Sequence, residues 1–172
     1  GGVFKCGAQG TTWIQTGLSD TKVLCLALDH SDPNTLYAGT LKGVFKSTNA
    51  GQNWMAVNSG LSDTKVFCLA LDPVHPQMLY AGTSGGVFKS TNAGGNWTLA
   101  ATGLGNTRIQ ALAIPPTNPR TLYAGTQGGV FKSTNAGQNW IPATTELTHS
   151  TVLAVDPGNP QTLYVGTLEG VF

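Results

Sequence analysis

The carboxylic acids of this 172-residue chain could support acid–base chemistry only in suitably placed pairs. Cleavage of a glycosidic bond needs two acids across a cleft, one as acid and one as base or nucleophile. Three acids recur at the turn after an apolar run, where a structural role is predicted, namely Asp29, Asp72 and Asp156. The others are Asp20, Asp32, Asp63, Glu146 and Glu169. Asp20 and Asp63 are again equivalent in the repeats described below, which explains them without catalysis, and we predict no catalytic residue.

Four basic side chains occupy one equivalent position in successive repeats, where together they could bind an anion. They are Lys22, Lys65, Arg108 and His149. If the repeats close into a ring, these side chains would form a cationic collar at one mouth of its channel. Such a collar suits an acidic sugar or another carboxylate. The alternative is that the four side chains are solvated, or paired with Asp20 and Asp63.

The sequence predicts neither a metal site nor a cofactor. Metal-ligand spacing to Cys or carboxylates is missing around the histidines, which are His30, His75 and His149. Cys25 and Cys68 stand at equivalent positions in apolar runs, where free thiols pack as small apolar groups, and both are predicted to be buried. Cys6 has no repeat counterpart and is predicted to be exposed.

Charge and hydropathy argue against two kinds of partner. Only 10% of the residues are charged, against about 25% in an average soluble domain. The net charge is +1, so nucleic-acid binding is not predicted. No stretch approaches the roughly 20 apolar residues of a membrane span. A surface of low charge repels its own copies weakly, which permits self-association.

Internal repeats with a period near 43 residues must position these side chains. A Gly-Val-Phe segment recurs with its valine at Val3, Val44, Val87, Val130 and Val171. A Leu-Tyr-(Ala/Val)-Gly-Thr segment recurs with its tyrosine at Tyr37, Tyr80, Tyr123 and Tyr164. Tryptophan recurs at Trp13, Trp54, Trp97 and Trp140. This period fits the four-stranded blade of a β-propeller, in which the repeated tyrosines would have a packing role.

Each repeat is predicted to contain four short strands, so the chain is predicted to be all-β. The first strand is an apolar run, predicted to be buried on both faces, at Val23–Leu28, Val66–Leu71, Ile109–Ile114 and Val152–Val155. The second and third strands are predicted at Leu79–Thr83 and Gly86–Ser90 and their equivalents, and the fourth begins at Trp97. The lysines of the third strands are predicted to point into solvent, and they are Lys46, Lys89 and Lys132.

The polar segment before each fourth strand resembles the Asp-box, Ser-x-Asp-x-Gly-x-x-Trp, of BNR-type propellers. The similar propellers are those of the sortilin, photosystem-assembly-factor and xyloglucanase type. The matching residues are Ser47, Asn49, Gly51 and Trp54, then Ser90, Asn92, Gly94 and Trp97, then Ser133, Asn135, Gly137 and Trp140. The resemblance implies a structural hairpin whose tryptophan packs into the blade. Asn in place of Asp keeps the acceptor oxygen and loses the charge. A first copy, at 6–13, retains only its glycine and tryptophan.

The strand count leaves the closure of the propeller open. The N-terminal segment supplies a third and a fourth strand, three complete blades follow, and the C-terminal segment supplies first, second and third strands. Val3-Phe4 and Val171-Phe172 are thus copies of one element. The ring could close within one chain with four blades, the chain could be a piece of a larger ring, or terminal strands could pair between chains.

Together these features predict one propeller domain or propeller segment over residues 1–172. Its repeats fall at about 1–21, 22–63, 64–106, 107–148 and 149–172. The predicted function is a non-enzymatic extracellular or periplasmic module that binds a protein or glycan partner, or assembles with other copies of itself. The alternative is a fragment of a polysaccharide-degrading, xyloglucanase-like enzyme. A sialidase is excluded, because its three-arginine clamp cannot be built from Arg108 and Arg120 alone.

Overall fold

The computed structural model describes residues 1–7, 10–105 and 107–172, and these ranges contain β-strands and no helix. Ala8 and Gln9, in the degenerate first copy of the polar motif, and Asn106, in the loop before Arg108, lie outside the described residues. The all-β prediction is confirmed. The strands fall into three four-stranded antiparallel sheets, called blades below, flanked by two smaller terminal sheets.

The strands follow the repeats in order along the chain. The N-terminal sheet contains β1 (Gly2–Cys6) and β2 (Trp13–Ser19). The first blade contains β3 (Val23–Leu28), β4 (Leu36–Thr40), β5 (Gly43–Ser47) and β6 (Met55–Ala56). The second contains β7 (Cys68–Leu71), β8 (Leu79–Thr83), β9 (Gly86–Ser90) and β10 (Thr98–Leu99). The third contains β11 (Ile109–Ala113), β12 (Leu122–Thr126), β13 (Gly129–Ser133) and β14 (Ile141–Thr144). The C-terminal sheet contains β15 (Val152–Val155) and β16 (Leu163–Gly166).

In the three blades the second and third strands have the predicted bounds, whereas some first and fourth strands are shorter, and the second strand of the last repeat ends one residue early at Gly166. β7 begins at Cys68 rather than Val66, because the Val66 amide donates to the Thr40 carbonyl of the preceding blade at 2.9 Å. β10 begins one residue after Trp97. The ends of the first and fourth strands are therefore used for contacts between blades.

A threonine and a glycine fix the turn between the second and third strands of each blade. In the first blade, Thr40 Oγ1 donates to the Gly43 carbonyl at 2.9 Å and accepts the Lys42 amide at 2.9 Å. Gly43 has a φ of 107°, which L side chains rarely adopt. The pattern recurs at Thr83 and Thr126, so all three hairpins hold the same register.

The hydrophobic core lies between neighbouring blades. One cluster joins Tyr37 and Val44 of the first blade to Val66, Leu79 and Trp97 of the second repeat. The equivalent cluster joins the second and third blades. Each blade thus buries its apolar side chains by contact with the next one, as expected of stacked repeats.

The described residues form an open arc, so the closure of one chain into a four-bladed ring is not observed. The N-terminal and C-terminal sheets are separate and stand at opposite ends of the three blades. β3 and β15 are not buried on both faces as predicted. Leu26 and Leu28 line an open cleft and are 46% and 51% exposed, and Val152 of β15 is 60% exposed. The predicted third strand of the last repeat is present as an isolated bridge between Gly166 and Val171.

Candidate functional site

The carboxylates that follow the first strands are occupied by backbone amides. Asp72 Oδ1 accepts the amides of Val74 and His75 at 2.8 and 2.9 Å, and the residue is 3% exposed. Asp29 and Asp156 each accept two backbone amides in the same way. In each of these carboxylates Oδ1 ends a strand by closing a turn, which is a structural role.

Asp32 is likewise held within its own loop. Its carboxylate accepts the Thr35 hydroxyl at 2.8 Å and the Asn34 amide at 3.1 Å. The Thr35 hydroxyl, followed by the Asn34 amide, lowers the pKa of Asp32. A carboxylate stabilised in its ionised form is a poor general acid.

The candidate cations precede the first strands of successive repeats, and all of them are exposed, namely Lys22, Lys65, Arg108 and His149. Successive first strands contact one another, so the four positions follow the arc and do not form a closed collar. Among the described residues, none of these side chains makes an ion pair with Asp20 or Asp63. Asp20 is also exposed, in a left-handed conformation with a φ of 53°.

Asp63, which lies two residues before Lys65 in the sequence, makes structural contacts that the sequence did not reveal. Its carboxylate accepts the Ser84 hydroxyl, the Gly85 amide at 2.8 Å and the Lys65 amide at 3.0 Å. Partial burial alone would raise the pKa of Asp63, but these hydrogen bonds outweigh it and lower the pKa. Asp63 therefore joins the loop before β7 to the β8–β9 turn. It makes no ion pair with the Lys65 ammonium.

Arg108 is the most organised of the cations. Its guanidinium carbon lies 3.9 Å from the centroid of the half-buried Phe67 ring. A cation over an aromatic ring gains about 0.5–1 kcal/mol at an exposed site. A guanidinium over an aromatic ring keeps at its edge the N–H donors that recognise carboxylates. Phe67 is a partner that the repeat pattern did not identify.

A cleft that was not predicted lies at the other end of the first strands. It is a cleft of about 590 Å³. Its walls are the apolar side chains of Leu26, Leu28 and Leu71 with Pro73 and Pro116, so it spans all three blades. The carboxylates at its edge are the turn-closing aspartates described above. The cleft therefore offers shape and apolar surface, and the Oδ1 atoms of its carboxylates already close turns.

The polar hairpins, defined as residues 47–54, 90–97 and 133–140, share one hydrogen-bond pattern. In the second, Ser90 Oγ donates to Asn92 Oδ1 at 2.9 Å and accepts the Gly94 amide at 3.0 Å. Asn92 Oδ1 also accepts the Asn96 amide at 2.8 Å. The intervening Ala93 has a φ of 56°. In these contacts the asparagine oxygen acts within the hairpin as a structural acceptor.

Each polar hairpin also contacts the preceding repeat. The indoles of Trp97 and Trp140 donate to the carbonyls of Val57 and Ala100, each at 2.8 Å. Both tryptophans are buried, at 2% and 3% exposure. The Trp54 indole instead donates to Gly51 and Thr16 and is half-buried. The hairpins thus connect neighbouring blades.

The prediction that the third-strand lysines point into solvent is wrong. They lie over the tyrosines of the second strands, with Nζ 5.5 or 5.6 Å from the ring centroids, in the pairs Lys46–Tyr37, Lys89–Tyr80 and Lys132–Tyr123. Lys89 Nζ also donates to the Ala136 carbonyl of the next hairpin at 3.1 Å. Cross-strand register explains the pairing, because each lysine lies directly opposite its tyrosine.

The exposure of the three cysteines agrees with the prediction except at Cys25. Cys68 is buried and Cys6 is exposed, as predicted, whereas Cys25 is only half-buried. Burial raises the pKa of Cys25 to about 12 and raises that of Cys68 as well. Among the described residues there is no cluster of three metal-ligating side chains, and no helix long and apolar enough to cross a bilayer.

Solved structures place this fold among β-propellers. The chain is similar to a GH74 enzyme from Niastella koreensis, with 26% identity, a TM-score of 0.77, and coverage of 99% of this chain and 30% of that one. It is similar to an ancestral GH74 enzyme, with 25% identity, a TM-score of 0.77, and coverage of 88% and 22%. The extracellular domain of a Bacteroides thetaiotaomicron protein shares the fold at 18% identity, with a TM-score of 0.78 and coverage of 99% and 24%. The chain thus spans under a third of each of these proteins. No protein-family model and no curated protein matches it.

Proposed function

We propose that this chain is a non-catalytic β-propeller segment that binds carbohydrate. The observation that carries the proposal is the state of the carboxylates. Five of the eight acids accept hydrogen bonds that close turns or join loops, namely Asp29, Asp32, Asp63, Asp72 and Asp156. The remaining acids lie in three separate loops, and they are Asp20, Glu146 and Glu169. Similarity to GH74 enzymes supports a link between this propeller and glycans.

The proposed contact surface is the edge of the arc where Lys22, Lys65 and Arg108 precede the first strands. All three side chains are exposed, and the Arg108 guanidinium lies over the Phe67 ring. Carboxylates of an acidic sugar would accept from the edge of this guanidinium and from the lysine ammonium groups. His149, one repeat further along the arc, is exposed at the equivalent position.

Binding to an acidic and to a neutral polysaccharide tests this proposal. Retention in gels that contain polygalacturonate or neutral xyloglucan would be compared for the wild type and for a Lys65→Glu/Arg108→Glu double variant. We expect the wild type to be retained by the acidic polymer and the variant to lose this retention. Arg120→Glu is the matched control, because Arg120 is exposed beyond the opposite ends of the first strands. Equal retention of all three proteins would contradict the proposed surface.

A second candidate is a segment of a polysaccharide-degrading enzyme of the xyloglucanase type. The observation that favours it is the 25–26% identity to GH74 enzymes, of which this chain spans 22% and 30%. In such an enzyme, the two acids would come from those that close no turn, namely Asp20, Glu146 and Glu169. Release of reducing ends from xyloglucan by the chain alone, abolished by Asp20→Asn or Glu146→Gln, would favour the enzyme. Binding without release favours the proposal above.

The proposed location is extracellular or periplasmic. The similarity to the extracellular domain of a Bacteroides thetaiotaomicron protein supports it at the level of the fold. An extracellular glycan-binding role agrees with the surface of low charge. Fractionation of the native cells, with detection of this chain by antibody, would test the location directly.

A further inference from the structure

The cleft at the far ends of the first strands is built from three repeats. Leu26 and Leu28 of β3 line it, Leu71 of β7 follows, and Pro116 forms its wall on the third blade. All of its lining residues lie between positions 26 and 116, and none belongs to the terminal sheets. Its volume of about 590 Å³ falls within the range of about 300–1,000 Å³ that is usual for small-molecule sites. The cleft can therefore hold one small organic molecule.

The lining of the cleft carries negative charge. Asp29 and Asp72 are among the lining residues, which include neither a lysine nor an arginine. Asp29 Oδ1 accepts the Ser31 amide, the Ser31 hydroxyl and the Asp32 amide. Every hydrogen bond that Asp29 accepts among the described residues thus goes to one oxygen, so Asp29 Oδ2 is left with its lone pairs for a ligand. The charge of the cleft therefore favours a cation.

His30 adds an acceptor at the same edge of the cleft. It is exposed and lines the cleft next to Asp29. Its Nδ1 lies 3.2 Å from the Leu28 carbonyl oxygen, which can only accept a hydrogen bond, so Nδ1 carries the proton. In the neutral imidazole the other nitrogen, Nε2, is then an acceptor. Asp29 and His30 thus offer two neighbouring acceptors to the N–H groups of a ligand.

The third blade differs from the other repeats at this edge. The turn after the first strand begins with an aspartate in the other repeats, at Asp29, Asp72 and Asp156, but with Pro115 in the third blade. Pro115 is buried, and the following Pro116 is exposed and lines the cleft. The acceptors therefore lie on the first and second blades, opposite an apolar wall on the third. A ligand with one polar and one apolar end would fit in a single orientation.

The walls of the cleft favour one kind of organic cation. Quaternary ammonium groups are recognised by cages of Trp, Tyr and Phe rings. None of these residue types is among the described residues that line the cleft, whose walls are leucine and proline side chains. A primary ammonium group carries three N–H donors, which carboxylate and imidazole acceptors can bind directly. An aliphatic chain attached to it would be buried against the leucines and prolines.

We propose that the cleft binds a small aliphatic primary amine in its ammonium form. The ammonium group donates to Asp29 Oδ2 and His30 Nε2, and the charge of Asp72 adds to the attraction. The aliphatic chain packs against Leu28 and Pro116. This site is separate from the proposed glycan surface, because the candidate cations precede the first strands and the cleft lies at the other ends of those strands.

Titration with octylammonium chloride, followed by two-dimensional amide NMR, tests the site. At about pH 8 imidazole groups are generally neutral and alkylamines are still protonated. We expect saturable shifts of the Leu28 and Leu71 amides. Octanoate, which has the opposite charge, and octyltrimethylammonium, which has no N–H donor, should bind about tenfold more weakly or less. The proposal is wrong if octylammonium produces no saturable shift, or if either of the other two compounds binds as tightly.

Asp29→Asn tests the charge while preserving the turn. Asparagine keeps an Oδ1 acceptor for the Ser31 and Asp32 amides and loses the negative charge. We expect this variant to bind octylammonium about tenfold more weakly than the wild type. Asp156→Asn is the matched control with unchanged affinity, because Asp156 closes the equivalent turn outside the cleft. Equal affinities of the two variants would overturn the proposal.

Leu28→Lys provides a second variant that leaves the turn aspartates intact. Leu28 is half-exposed, so this change should preserve the fold while it places a positive charge in the cleft, and octylammonium binding should be lost. Val152→Lys is the matched control, since Val152 is exposed on β15 outside the cleft. Retained binding in Leu28→Lys would contradict the site. The Lys65→Glu/Arg108→Glu variant should bind octylammonium as the wild type does, so a failure of glycan binding and a failure of amine binding are distinguishable.

Discussion

The interior blades and the terminal sheets contain the same repeat residues in different surroundings. Trp140 is buried and donates to the preceding blade, whereas Trp13 is 65% exposed. Tyr80 is buried beneath the next polar hairpin, whereas Tyr164 is half-exposed. The residue types are the same in both regions, but only the interior residues are covered by a neighbouring repeat. A repeat of this fold is therefore completed by its neighbour, and stability resides largely in contacts between blades.

Replacing a tryptophan by alanine should show the largest difference in stability loss between the two regions. Trp140→Ala removes a buried indole and its hydrogen bond to Ala100, which should lower the free energy of unfolding by about 3–5 kcal/mol. Trp13→Ala should change it by no more than about 0.5 kcal/mol in dilute protein, because the indole is exposed. Urea denaturation followed by circular dichroism measures both. Similar losses for the two variants would break the comparison.

The hairpin serines should show a smaller difference. Ser90 Oγ is buried and accepts the Gly94 amide, so Ser90→Ala should cost about 1–3 kcal/mol by leaving that amide unsatisfied. Cys6 stands at the equivalent position of the degenerate copy and is exposed. Cys6→Ala should be within about 0.5 kcal/mol of the wild type in the same urea titration. A larger effect at Cys6 would show that the terminal copy keeps the hairpin bonds.

The interior tyrosines should make the smallest contribution to the free energy of unfolding, and this contribution should be visible at alkaline pH. Burial, followed by the charge of a nearby aspartate, raises the pKa of Tyr37 and Tyr80 from 10 to about 12. The folded state keeps these protons where the unfolded state loses them, so stability is complete below pH 10 and falls as pH rises toward 12. Tyr80→Phe should reduce this slope, with Tyr164→Phe as the matched exposed control. Urea midpoints between pH 9 and about 12 provide the measurement.

The fold was predictable because the residues that set it recur in every repeat. In the three blades the Tyr and Gly-Val-Phe segments located the second and third strands to the residue, since a threonine and a positive-φ glycine fix each turn between them. The positions of Lys46, Lys89 and Lys132 were also predictable, but their burial was not. A lysine stem beside a tyrosine packs or remains solvated according to cross-strand register and to the next hairpin, and neither is local in sequence.

The candidate site was less predictable, because it depends on how repeats meet. The equivalence of Lys22, Lys65 and Arg108 predicted a collar at one channel mouth, whereas the structure places them, exposed, along the arc at the starts of the first strands. The stacking of Arg108 on Phe67 joins residues from different repeats, and the repeat pattern gives no signal for it. The cleft between Leu26, Leu28 and Pro116 likewise arises from the curvature of the arc. Curvature depends on packing between blades, which composition and spacing do not specify.

Hydrogen exchange of the four indole N–H groups, followed by NMR in dilute protein, tests the central claim most directly. Trp97 and Trp140 should exchange slowly, since both are buried and donate to a carbonyl of the preceding repeat. Trp54, which is half-buried, should be intermediate, and Trp13 should exchange fastest. Equal exchange at Trp13 and Trp140 would contradict the account, because neighbouring repeats would then not determine the environment of these residues.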